Sequence, residues 1–214
     1  IEEAVKALSS GKPTGIFLKG PTLREPGLTL AGKIAAKTGA RLYAPTSNAR
    51  IDRGAGRIAV ERVPYVVELA VERLSDLEHM IGIGDAEPVA FFAYPNKPSR
   101  ILPDGCTVQH LATEEEDGTR ALEMLVDALD AHNETPSVAE RHEPELPTGE
   151  LTQDTIAAAV STLLPENAIV VDESVSSGRQ LNWQTAGALP HSWLSICGGA
   201  IGVGLPLAAG AGIA

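Results

Sequence analysis

Two stretches in the second half of the chain carry residue types that could do chemistry. The first is Val170-Val171-Asp172-Glu173-Ser174-Val175-Ser176-Ser177-Gly178, a β-branched run that breaks into carboxylates, hydroxyls and a glycine. In open α/β sheets, ligands bind beyond the carboxyl ends of strands. A hydroxyl-rich turn there offers backbone N–H groups and serine hydroxyls to an anion. The same residues have a plainer use, with Ser176 or Ser177 capping a helix through Leu181-Asn182-Trp183. The second stretch is Cys197-Gly198-Gly199-Ala200-Ile201-Gly202-Val203-Gly204-Leu205-Pro206-Leu207-Ala208-Ala209-Gly210. Glycines at this density let a backbone turn at positive φ and approach a ligand closely. Ile201 is the one large side chain between 198 and 204, projecting from a loop that is otherwise backbone.

Other chemistries lack their residues. There is no GxxxxGK[ST], GxSxG or HExxH, and Gly82-Ile83-Gly84 lacks the third glycine of a dinucleotide loop because position 87 is Glu. The five histidines (79, 110, 132, 142 and 191) are never at metal-ligand spacing. Cys106 and Cys197 stand far apart with no CxxC partner, which points to a reducing, cytoplasmic compartment. With 17 Lys+Arg against 28 Asp+Glu, the net charge of −11 argues against nucleic acid as a partner. Aromatic residues make up 4%, too few for a stacking platform.

The elements that must position these residues follow from periodicity. Short β-branched runs at 14–18, 41–44, 79–84 and 107–111 read as strands. Between them, 28–38, 65–74 and 116–131 read as helices, the first stopped by Gly39. This alternation predicts an α/β fold, a parallel sheet with helices on both faces, over residues 1–133. Residues 134–149 are charged and proline-rich and read as a linker. From 150 to 214 the alternation resumes as a second, incomplete α/β domain. It opens with a helix from Thr152 to Leu164, then a strand at 168–171. No Asp, Glu, Lys or Arg occurs from Gln180 to Ala214. Even so, Asn182, Gln184, His191 and Ser192 in the first half of this stretch and six glycines from 198 to 212 make a buried turn and packed helix a better reading than a membrane span.

The order V-V-D-E-S-V-S-S-G, about twenty residues, then G-G-A-I-G-V-G-L-P-L-A-A-G resembles the thiamine-diphosphate enzymes of the acetolactate synthase and benzoylformate decarboxylase superfamily. Phe91-Phe92-Ala93-Tyr94-Pro95 and Leu111-Ala112-Thr113 are similar to its central domain. The resemblance implies that 1–133 is that domain and 150–214 the start of the diphosphate-binding domain. It implies cofactor contacts at Val175 (backbone) and Ser176 for the diphosphate. The Gly199 carbonyl would hold the aminopyrimidine, and Ile201 would prop the cofactor in a V shape. That shape brings the 4′-amino group to thiazolium C2, and the ring then serves as electron sink for decarboxylation of a 2-oxo acid. No catalytic residue and no metal ligand falls within the chain. The family's GDG…N motif for Mg²⁺ has no counterpart, Gly84-Asp85 lying in the wrong domain. By itself the polypeptide is expected to be inert, the parent being a homodimer or homotetramer. FAD in the central domain is allowed by the resemblance but marked by no residue. The rival expectation is a non-catalytic nucleotide-binding or interaction module built on that domain.

Overall fold

The computed structural model describes residues 1–84 and 87–214, so Asp85 of the Gly84-Asp85 pair lies outside the described residues. The chain forms two compact units, 1–46 with 60–137 and 47–59 with 138–214.

The first unit carries five parallel strands. In chain order these are β1 (Thr14–Leu18), β2 (Arg41–Ala44), β4 (Glu61–Arg62), β5 (His79–Ile83) and β6 (Thr107–Ala112), and they lie side by side as β4-β2-β1-β5-β6. Strand order reverses between β1 and β5, which pair in register from Thr14↔His79 to Leu18↔Ile83. Side chains alternate across a strand. Phe17, Tyr43 and Met80 therefore face one side, where they pack with Val67, Ala70 and Leu74 of helix α3 (Val67–Leu74) and with Ile101, Leu102 and Cys106. Ile16, Leu18, Ile81 and Ile83 are left for the opposite side and are fully buried. There α2 (Glu25–Thr38) and α4 (Gly118–Ala128) pack on each other and bury Leu28, Ile34, Leu122 and Leu125. The N-terminal helix α1 (Glu2–Leu8) adjoins α4. Gly39 ends α2 at φ 76°, the left-handed cap that glycine adopts without strain.

The second unit carries a three-stranded sheet in the order β3-β8-β7, from β3 (Ile51–Arg53), β7 (Ala168–Asp172) and β8 (His191–Ser195). β7 runs parallel to β8, but β3 runs antiparallel to it, so this sheet is mixed. β8 was not foreseen, because His-Ser-Trp-Leu-Ser has neither β-branched residues nor alternation. It is a central strand, buried along its whole length. Helix α5 (Gln153–Leu163) starts as the sequence predicts: the Thr155 amide donates to Thr152 Oγ1 at 3.2 Å and the Thr152 amide to Thr155 Oγ1 at 2.7 Å. Residues 138–142 are not loose. Val138 bridges Ile58, the Ala139 amide donates to the Arg57 carbonyl at 2.8 Å, and the His142 amide to that of Gly187 at 2.9 Å.

The last helix, α7 (Gly204–Ile213), lies on β7 yet buries none of its residues. This corrects the expectation of a buried turn and tightly packed helix. α7 is apolar all round and has no polar face, yet Leu205 and Ile213 are 85% and 87% exposed, an arrangement that suits a helix covered by further protein. No helix among the described residues is long and apolar enough to cross a membrane.

Candidate functional site: a strand-end turn and a glycine loop

Both chemically interesting stretches leave neighbouring strands of the second sheet at the same end. Asp172 and Ser195, the last residues of β7 and β8, are paired in register, and the Ile196 amide donates to the Asp172 carbonyl at 3.1 Å. The turn after β7 and the loop after β8 are thus brought together at the carboxyl edge of the sheet.

In the turn, Asp172 Oδ1 accepts from the Ser174 amide at 2.9 Å and from the Ser174 hydroxyl. The Ser177 amide and hydroxyl both donate to the Ser174 carbonyl, at 3.0 and 2.8 Å. This ties the turn into a tight ring. Its tip is Val175, at φ 45°. A β-branched residue in the left-handed region crowds its own backbone, a strain found mostly where surrounding structure or function demands it. Val175 and Ser176 are exposed, and among the described residues their amides donate to no protein group. Short helix α6 (Leu181–Gln184) begins at Gln180 with no side-chain cap. The helix-capping use of Ser176 or Ser177 is therefore not what the fold employs. The amides of Val175 and Ser176 thus lie on an exposed turn without a protein acceptor among the described residues.

In the loop, Gly198, Gly199 and Gly202 take φ of 65°, 68° and 98°. The Ile201 amide donates to the Gly199 carbonyl at 3.0 Å, leaving that oxygen its second lone pair. Ile201 itself is 77% exposed. A large aliphatic side chain held open to water by three left-handed glycines contributes nothing to the core. The turn thus presents N–H donors and the loop a carbonyl acceptor and an apolar prop.

One residue of this site has no role in the sequence reading. The Glu173 carboxylate accepts from the amides of both Gly202 and Gly204, reaching from the end of β7 to the loop. Partners 29 and 31 residues apart leave no periodic signal; a carboxylate at a strand end was the only hint.

No group of three or more His, Cys, Asp or Glu among the described residues could hold a metal ion. The second sheet also holds a buried histidine. His191 donates from Nδ1 to the Leu189 carbonyl at 2.7 Å, and its Nε2 is buried without a partner. Burial pushes it down to about 4, helped by the Arg53 guanidinium and opposed by the Leu189 bond.

Solved structures share this architecture. The chain superimposes with a TM-score of 0.67 on a thiamin diphosphate-dependent enzyme, provisionally assigned as such, from Mycobacterium smegmatis. That match has 23% identity and covers 97% of this chain and 43% of the other. It superimposes at 0.68 on the thiamine diphosphate-dependent 4-hydroxybenzoylformate decarboxylase of Rhodococcus jostii RHA1, with 19% identity over 99% of this chain and 43% of the other. At these identities the likeness is one of fold. No family model matches the chain. In sequence, it is 45% identical over 207 residues to the Mycobacterium tuberculosis protein provisionally described as the acetolactate synthase large subunit IlvX. The match covers 97% of this chain and 40% of that protein. The resemblance to the thiamine-diphosphate superfamily is borne out. The chain spans about two fifths of the length of the relatives it matches.

Proposed function

We propose that this chain works as a segment of a thiamine-diphosphate-dependent enzyme that decarboxylates or joins 2-oxo acids. Residues 1–133 would be its central domain, 134–149 a connecting stretch and 150–214 the first part of its diphosphate-binding domain. The observation that carries the reading is Ile201, a large apolar side chain 77% exposed on a loop of left-handed glycines, beside a strained turn with free amides. When bound, thiamine diphosphate supplies an electron sink for the carboxylate-bearing carbon. The amides of Val175 and Ser176 and the Ser176 hydroxyl would hold its diphosphate, the Gly199 carbonyl would fix an amino group, and Ile201 would fill the concave side of the bent molecule. Mg²⁺ would find its ligands in another part of the enzyme. A cytoplasmic setting fits the two unpaired cysteines. A homodimer or homotetramer would cover exposed Trp183, Leu205 and Ile213.

The rival reading places the function in the first unit, as a nucleotide or FAD site. A cleft of about 370 Å³ does open where the strand order reverses, lined by Lys19, Thr22, Gly84, Glu114, Glu116 and Asp117, among others. Lys19, the one basic residue lining it among the described residues, already pairs with Glu114 at 2.5 Å. The Thr113 amide and hydroxyl donate to Glu116, keeping that carboxylate below its usual range and hence charged. Asp117 caps α4 by accepting from the Arg120 amide at 2.9 Å. With its cation neutralised and its helix N-terminus occupied, the cleft repels phosphates rather than gathering them.

Ile201→Ala in the full-length enzyme tests the proposal. Losing three carbons of cofactor contact is worth roughly 2 kcal/mol, so turnover at saturating cofactor should fall about 10-fold or more, while Ile201→Leu is tolerated. Unfolding should shift by less than about 0.5 kcal/mol, because the side chain is exposed. Unchanged turnover with lowered stability would make Ile201 a packing residue and end the reading.

A further inference from the structure

We infer that Glu173 is a positioning residue that fixes the spacing between the two halves of the site, and that by spending the loop's amides it dictates which way round the cofactor lies. The inference rests on the thiamine-diphosphate reading above. Beyond Ser195 the loop leaves the sheet, and apart from the tight Ile201–Gly199 turn its own backbone hydrogen bonds are long: Ala200 amide to the Cys197 carbonyl and Val203 amide to the Ala200 carbonyl, both 3.4 Å. Asp172, the other carboxylate at the end of β7, is committed to Ser174. Among the described residues, Glu173 is the side chain that reaches across, taking the Gly202 and Gly204 amides on its two oxygens. Hydrogen bonds to an ionised acceptor are the stronger kind, and these sit at the positive end of α7. A Cβ on Gly204 would meet Glu173 Oε2, so the carboxylate would have to swing off its amides to make room.

The consequence is directional. Two amides at the α7 N-terminus, those of Gly202 and Gly204, are already satisfied by an internal negative charge, which turns a diphosphate away from the loop and toward the amides of Val175 and Ser176. The loop is left with its Gly199 carbonyl and Ile201, which suit the amino-bearing, apolar end of the cofactor. Glu173 touches neither end. It sets the distance between them.

The test uses the full-length enzyme with Glu173→Ala, Glu173→Gln and Gly204→Ala. Three quantities are read: hydrogen exchange of the 198–205 amides without cofactor, thiamine diphosphate affinity, and the unfolding midpoint. Glu173→Ala should speed loop exchange and weaken cofactor binding, each by about 10- to 100-fold, the loss of two hydrogen bonds to a charged group. Its midpoint should stay near wild type. Glu173→Gln keeps one good acceptor and should fall between. Gly204→Ala, which pushes the carboxylate off its amides, should follow Glu173→Ala. Unchanged exchange in Glu173→Ala would show that there is no clamp. Faster exchange with unchanged affinity would show that the clamp is merely structural, and either result overturns the inference. If the wild type takes up no thiamine diphosphate while Glu173→Ala still frees the loop, the underlying reading has failed, and the positioning role fails with it although the clamp is real.

Discussion

At the scale of single residues, Val175 is the clearest sign that the β7 turn is shaped for something other than stability. A left-handed valine costs on the order of 1–2 kcal/mol, and its side chain is 62% exposed, so burial does not repay the strain. Val175→Gly should relieve it. After the entropic penalty of glycine in the unfolded chain, roughly 0.5–1 kcal/mol, a net stabilisation of about 0.5–1 kcal/mol remains. Denaturant unfolding measures it, and a destabilised variant would mean that the strain is compensated by contacts of the side chain. Val175, Ser176, Gly199 and Ile201 stand out in the sequence as a hydroxyl-rich turn and a glycine run after strands, but the cofactor roles proposed for them came from the family resemblance. Glu173 was not, because its partners depend on β7 and β8 being neighbours. That pairing was hidden as long as the strand His191–Ser195 went unread.

Among elements, β8 shows both what the pattern conceals and what burial does. His191 lies 4% exposed within it. Its ring is held in the neutral form, pushed down to about 4 from 6.5, chiefly by burial. The sign follows directly: between pH 6.5 and about 4 the unfolded chain takes up a proton that the folded chain refuses. Stability should fall as pH drops through that window, by about 3 kcal/mol at 1.4 kcal/mol per unit. His191→Asn should flatten this part of the pH profile of the unfolding free energy. A variant as pH-sensitive as the wild type would locate the titration elsewhere. Elements with clear periodicity, β1, β2, α2, α4 and α5, stand within a few residues of where the sequence places them. The elements it misses are short or lack a pattern, such as β3, β4 and β8. Their residues are set in sheets by tertiary pairing rather than by local preference.

For the whole molecule, the question is which of two strand-end openings takes an anionic cofactor against a net charge of −11. The alternation of strands and helices made the α/β class legible, but not the exchange of segment 47–59 into the second unit, which rests on the antiparallel pairing of Ile51–Arg53 with β8. Nor did composition reveal that residues 138–142 of the charged, proline-rich stretch are hydrogen-bonded in place. Each unit ends with an opening at its strand termini: the acidic cleft around Lys19 in the first, the turn and glycine loop in the second. Titrating thiamine diphosphate into this 214-residue chain while following backbone amide ¹H–¹⁵N resonances asks the molecule directly. Without metal ligands, binding should be weak, on the order of millimolar or about −4 kcal/mol. The shifts should concentrate at Val175, Ser176 and residues 199–202. Micromolar binding, or shifts gathered at Lys19, Gly84 and Gly118 with none at the turn and loop, would contradict the account.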